Sequence, residues 1–189
     1  MVLTYLMDTT AVRAESTKEE TDVAVVRDPL PTLGALDFRM IELLFFAYRE
    51  FTADADSILV RYGFGRAHHR VLHFVNREPG LTIAELLEIL QITKQSLSRV
   101  LRQLIDEDFI RQIPGDEDRR QRRLYPTMKG RELAVELSCA QVRRIDQALA
   151  ETGAEDLGPI ATFLASMAND RESAREWFLR KDISWKDPA

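Results

Sequence analysis

Apolar residues spaced by three and four mark the first convincing helix: Phe38, Ile41, Phe45, Tyr48, Phe51, Ala55, Ile58 and Tyr62, with Asp37 as its N-cap. Leu44, Phe46 and Leu59 widen this stripe until it needs cover on more than one side, which a second subunit would supply. Gly63 and Gly65 break the pattern, and a second helix carries Val71, Leu72 and Val75 up to the turn Glu78-Pro79-Gly80. Thr82-Ile83-Ala84-Glu85 then fits a capping box, in which hydroxyl and carboxylate each satisfy an orphan amide, and Leu86, Leu87 and Leu90 give that short helix a buried face. After Gln91-Ile92 a new N-cap, Thr93, opens a helix to about Glu107. Two strand-like stretches follow, Phe109 to Ile113 and Arg122 to Tyr125, joined by the turn-rich Pro114-Gly115-Asp116-Glu117-Asp118. Thr127 caps a long helix holding Leu133, Leu137, Ala140, Ile145 and Ala148, ended by Thr152-Gly153. A last helical region lies between Glu155 and Arg180, with Pro159 suited to a first turn.

The helix opened by Thr93 has two faces. Leu97, Val100, Leu101 and Leu104 form an inner stripe, while Gln95, Arg99 and Arg102 project oppositely. A short helix, tight turn and such a two-faced second helix make a helix-turn-helix, whose second helix enters the major groove. Gln can pair with an adenine edge and Arg with guanine, so Gln95 and Arg99 suit base contact; Thr93, Lys94, Ser96, Ser98 and Arg102 suit phosphates. The hairpin concentrates Arg119, Arg120, Arg122 and Arg123 beside Asp118, and guanidinium is attracted to the narrow minor groove. Charge supports the same face. The net charge is −5, yet Lys94 to Arg131 holds ten basic and six acidic residues, a local +4 within a remainder of −9.

From about residue 36 to 168, the capping-box helix, Ile92-Thr93-Lys94-Gln95-Ser96-Leu97-Ser98-Arg99, the Leu104 to Ile110 exit, Gly115-Asp116-Glu117-Asp118-Arg119-Arg120 and Leu124-Tyr125-Pro126-Thr127-Met128-Lys129-Gly130 together resemble the MarR family of winged helix-turn-helix regulators. The wing motif of that family, an aspartate, any residue and an arginine, matches Asp118 and Arg120, and the resemblance assigns Arg120 to the minor groove. It also implies a homodimer held by the first and last helices, and a small-molecule cleft between the dimer and DNA-binding parts. Two positions depart from the family. Asp108 stands where glycine is usual, though Asp tolerates the left-handed conformation, and Pro126 replaces an apolar strand residue, which is expected to shorten the hairpin.

The expected fold is therefore mainly α with a small β-hairpin wing. Residues 1–35 read as a flexible arm, 36–65 and 128–180 as a helical dimerisation region, and 66–127 as the DNA-binding domain. The expected function is a sequence-specific regulator that binds a palindromic operator in double-stranded DNA as a homodimer, released by a small anionic or aromatic ligand. That ligand would meet Tyr48, Arg66, His68, His69, Arg70 and His73. The rival reading is a winged-helix protein-interaction module, which has no need of Gln95, Arg99 and an arginine-rich wing together. Catalysis is not expected: no glycine-rich phosphate loop, nucleophile motif or paired acid and base can be placed. His69 and His73 have the i, i+4 spacing of metal ligands, but no cysteine joins them, so packing or hydrogen bonding is favoured and no metal or cofactor is expected. The single cysteine, Cys139, fits a reducing compartment and is expected to be packed and inert. No apolar run approaches the roughly 18 residues of a membrane span, so a cytoplasmic protein is expected.

Overall fold

Side-chain caps set the start of three helices in the computed structural model, which describes residues 38–115, 121–153, 157–168 and 172–181. Helix α1 spans Phe38–Leu59 and runs into a single 3-10 turn, Val60–Tyr62; α2 spans Arg66–Arg77. Strand β1 (Leu81–Thr82) leads directly into α3 (Ile83–Leu90), followed by α4 (Lys94–Asp106). Strands β2 (Ile110–Pro114) and β3 (Arg122–Pro126) precede α5 (Met128–Thr152), α6 (Gly158–Ala168) and α7 (Glu172–Arg180). From Arg39 onward the described residues form one compact unit. The arm assigned to residues 1–35 and the N-cap Asp37 lie outside the described residues.

The capping expectations hold in detail. Thr82 Oγ1 accepts from the Glu85 amide at 3.2 Å while Glu85 Oε2 accepts from the Thr82 amide at 2.7 Å, closing the box. Thr93 accepts from the Ser96 amide at 3.2 Å and Thr127 from the Gly130 amide at 3.0 Å. Gly63 and Gly153 end their segments in the left-handed region, as does Gln91 at the close of α3. Asp108 sits at φ 58, the conformation its place at the exit of α4 requires.

Three antiparallel strands form the sheet, in the order β1-β3-β2. Strand β1 is missed by the sequence pattern because two residues carry no period; it exists only because Leu81 pairs with Leu124. The ladder runs to Ile110↔Pro126, so Pro126 does not shorten the hairpin: it is the last residue of β3, where a missing donor matters least. The core gathers Leu59, Val71, Leu72, Leu86, Leu97, Leu104 and Leu124, all between 0% and 2% exposed. Phe109 joins them fully buried, with Tyr62 and Phe64 meeting its ring edge-on at 5.6 Å and 5.0 Å.

Two features lie outside this core. Helices α1 and α6 leave Leu43, Phe45, Phe46, Phe163, Leu164 and Met167 between 44% and 70% exposed. The single terminal helical region expected between Glu155 and Arg180 is two helices; Pro159 takes the first turn of α6 as anticipated, and α7 turns back onto α2 and α3. Trp177 of α7 is buried with its ring edge-on to Phe74 at 4.8 Å. Lys181 Nζ donates to the carbonyl of Arg77 at 3.1 Å, satisfying an orphan acceptor at the end of α2, and ion-pairs with Glu78.

Candidate nucleic-acid interface

Helix α4 is held from below and open above. Leu97, Val100, Leu101 and Leu104 are buried, the stripe that the sequence predicts. Lys94, Gln95, Ser96, Ser98, Arg99 and Arg102 line one open concave surface on the other side. Every one of them is exposed. Lys94, Arg99 and Arg102 form no ion pair with a described residue, so their charge is directed outward. The positive end of the helix dipole adds to the field at Lys94. Thr93 differs from its neighbours: its hydroxyl accepts the Ser96 amide and donates to Ser96 Oγ at 2.9 Å, so capping occupies it.

A side-chain chain ties the start of α2 to the middle of α4. His68 Nδ1 accepts from the Gly65 amide at 3.1 Å, capping α2, and its Nε2 lies 2.9 Å from Gln103 Oε1. Gln103 in turn donates to Glu107 at 2.9 Å. His68 also stacks on Phe64 at 4.7 Å. This imidazole therefore braces α4, and it is absent from the lining of the concavity between α1, α2 and α5 that holds the other residues grouped with it in the sequence.

The wing grows from paired strands. Pro114 faces Arg122 in register, and the Gly115 amide donates to the carbonyl of Gln121 at 2.8 Å, closing the loop. Arg122 is exposed at its base. Asp118, Arg119 and Arg120 lie outside the described residues. Arg123 is turned to a different use, since its Nη1 donates to the carbonyl of Gly80 at 3.0 Å and fastens the turn before β1.

A family model described as the MarR family matches residues 62–121, which run from α2 through α3 and α4 to the end of β2 and stop short of β3. The chain is also 46% identical over 142 residues to the HTH-type transcriptional regulator PetP of Rhodobacter capsulatus, covering 75% of this chain and 85% of that protein. The chain belongs to the MarR family. Its DNA-binding, transcription-regulating character follows from that membership. Solved structures agree on the fold. The MarR protein from Peptoclostridium difficile matches with a TM-score of 0.63 at 19% identity, over 80% of this chain and 98% of that one. A MarR transcriptional regulator from Methanosarcina mazei Go1 matches with a TM-score of 0.59 at 21% identity, over 70% and 89%.

In this MarR-family chain a second concavity of about 280 Å³ lies between α1, α2 and α5. Tyr48, Arg66, His69, Arg70 and His73 line it, five of the six residues expected there, with Phe51 and Phe74 as apolar walls. Arg66 is held by Asp56 at 2.8 Å, and Arg70 donates to the carbonyl of Leu90 at 2.7 Å, so both guanidiniums arrive with one partner already in place. Burial lowers the pKa of His69 and His73 below the usual 6.5; Asp56 opposes the shift at His69, while Arg77 and the other imidazole reinforce it at His73. Both are thereby biased toward the neutral form, and the permanent positive charge of this concavity belongs to the arginines.

These shifts fix a sign. A histidine whose folded pKa lies below its unfolded value leaves stability intact above about pH 6.5, and stability falls as pH drops from there through the lowered folded value. Thermal melts are therefore expected to show a falling midpoint between pH 7 and 5, above the carboxylate range. His73→Gln should flatten the slope; an unchanged slope would place the titration elsewhere.

Among the described residues, roles besides that of His68 escaped the sequence reading. Gly130 is pressed against the backbone of Phe109, and Arg123 ties β3 to the turn before β1. Cys139, expected to be packed, is exposed on α5, because helical phase turns it away from the buried positions Leu137 and Ala140.

Proposed function

We propose that two copies of this chain bind a palindromic operator, each placing α4 in one of two successive major grooves, and that a small anionic or aromatic molecule in the α1–α2–α5 cleft weakens this binding. The observation that carries the reading is the gathering of Lys94, Gln95, Ser98, Arg99 and Arg102 on one open face above a buried leucine stripe. Gln95 and Arg99 read base edges, Lys94, Ser96, Ser98 and Arg102 contact phosphates, and Arg119, Arg120 and Arg122 serve the wing. Family membership supports DNA binding and dimer formation. No described helix is long and apolar enough to cross a membrane, in keeping with action in the cytoplasm.

Exposed apolar side chains on α1 and α6 support the homodimer, since a surface of this kind is covered in a stable assembly. Light scattering at micromolar concentration is expected to give a dimer. A monomer that still binds DNA would overturn the two-half-site reading.

Footprinting on the DNA beside the chain's own gene is expected to protect two half-sites centred about 34–36 Å apart, one helical turn. Arg120→Ala should weaken binding to all sequences alike. Aromatic acids that stabilise the protein in thermal-shift assays should then displace labelled operator. Hits that bind without altering DNA affinity would remove the release step and leave the DNA-binding reading intact, because a ligand shifts an equilibrium only by its differential affinity.

A further inference from the structure

Another cleft, of about 510 Å³, opens between α2 and α5. It shares His73 with the α1–α2–α5 concavity and is otherwise lined by different residues. Arg77 from α2 and Arg131 and Arg143 from α5 border it, and Ala134, Val135 and Val142 give it an apolar surface. Three carboxylates nearby are already engaged. Asp54 receives two bonds from Arg144, at 2.8 Å and 3.0 Å; Glu78 is held by Arg180 and Lys181, and Glu136 by Arg61. The three cleft arginines form no ion pair with a described residue, whereas Arg61, Arg66, Arg144 and Arg180 all do.

Spacing sets the shape of what fits. Arg131 and Arg143 stand about 18 Å apart along the axis of α5, too far to share one carboxylate. The Asn76 amide reaches the carbonyl of Gly130 at 3.5 Å, so the end of α2 lies beside the start of α5 and Arg77 falls near Arg131. One end of the cleft thus offers two guanidiniums and the other offers one, with apolar side chains between them. Each guanidinium is suited to a bidentate carboxylate contact.

We propose that this cleft binds an amphiphilic dicarboxylate, with a carboxylate at each end of a short apolar spacer, independently of the α1–α2–α5 cleft. Cys139, the chain's single cysteine, lines the same cleft and is exposed, which makes it a local reporter.

The test compares thiol–disulfide exchange at Cys139 with two reagents on the full-length protein. One is 5,5′-dithiobis(2-nitrobenzoate), itself an aromatic dicarboxylate; the other is the neutral 4,4′-dithiodipyridine. In each case the Cys139 sulfur forms a mixed disulfide, one thiolate leaves, and the cysteine proton passes to water. Relative to a neutral cysteine amide, the wild type is expected to favour the dianionic reagent by about tenfold or more, falling with salt. Arg131→Gln with Arg143→Gln should abolish that preference while leaving the neutral reagent's rate unchanged, and Arg66→Gln should leave it intact. Biphenyl-4,4′-dicarboxylate should protect Cys139 saturably, and benzoate far less. A preference no greater than that of the free thiol, its survival in the double variant, its loss in Arg66→Gln, or equal protection by benzoate would each overturn the proposal.

Discussion

Gly130→Ala is expected to destabilise the protein by about 3 kcal/mol or more, enough to leave much of it unfolded at moderate urea. Helix propensity alone predicts the opposite sign, since alanine stabilises a helix by about 1 kcal/mol over glycine. Packing decides the matter. A Cβ on Gly130 would stand 2.0 Å from the carbonyl oxygen of Phe109 and 2.9 Å from its carbon. That carbonyl has little freedom to retreat, because it accepts from the Thr127 amide at 3.1 Å and the Thr127 hydroxyl at 3.3 Å. The Phe109 ring is fully buried, and Thr127 is also the cap of α5. Relief would therefore open the core or uncap the helix. Gly65→Ala is the matched control: its Cβ meets nothing within 4 Å and its backbone is extended, so a change below about 1 kcal/mol is expected. Urea midpoints followed by circular dichroism measure both, and a Gly130→Ala protein as stable as wild type would mean that α5 does not start against the backbone of Phe109.

Joint replacement of Gln95 and Arg99 by alanine is expected to reduce operator affinity by about a hundredfold or more, with little change in non-specific binding. Each bidentate base contact contributes about 1–3 kcal/mol of discrimination, and about 1.4 kcal/mol corresponds to tenfold. The effect should fall on sequence preference because base edges, not phosphates, carry the information. Arg102→Ala provides the contrast. It should weaken specific and non-specific binding together and lower the salt slope by about one, the signature of one lost phosphate contact. Both substitutions lie on an exposed face, so stability should barely move. Binding measured on operator and scrambled duplexes at several salt concentrations separates the two outcomes. Unchanged affinity in the Gln95/Arg99 variant at moderate salt would remove α4 from the DNA face.

What the sequence disclosed was local. The threonine caps at 82, 93 and 127 depend on neighbours three residues away, and the leucine stripe of α4 on helical period alone, so both could be read directly. The left-handed turn at Asp108 was legible for another reason, the resemblance to a family in which glycine usually holds that position. The features that escaped depend on residues distant along the chain. Strand β1 needs Leu124, the confinement of Gly130 needs Phe109, and the brace at His68 needs Gln103. A histidine beside two others at ligand-like spacing gives no sign of whether it will meet a pocket or a glutamine. The terminal helical region shows the same limit: its apolar residues announced helix, but not that Trp177 would pack on Phe74.

That last contact bears on how the chain matures during synthesis. The buried cluster begins at Ala55, and its central leucines are all present once Leu137 has been made, yet Trp177 also belongs to it. A nascent chain emerging from the ribosome with α2 to α5 complete still exposes the flank of Phe74 and the end of α2 to solvent. Closure waits for a segment about a hundred residues downstream, a non-local step of the kind that slows folding and prolongs exposure of apolar surface. Premature termination before α7 would therefore release a chain that carries the whole exposed face of α4 and lacks the last wall of the core.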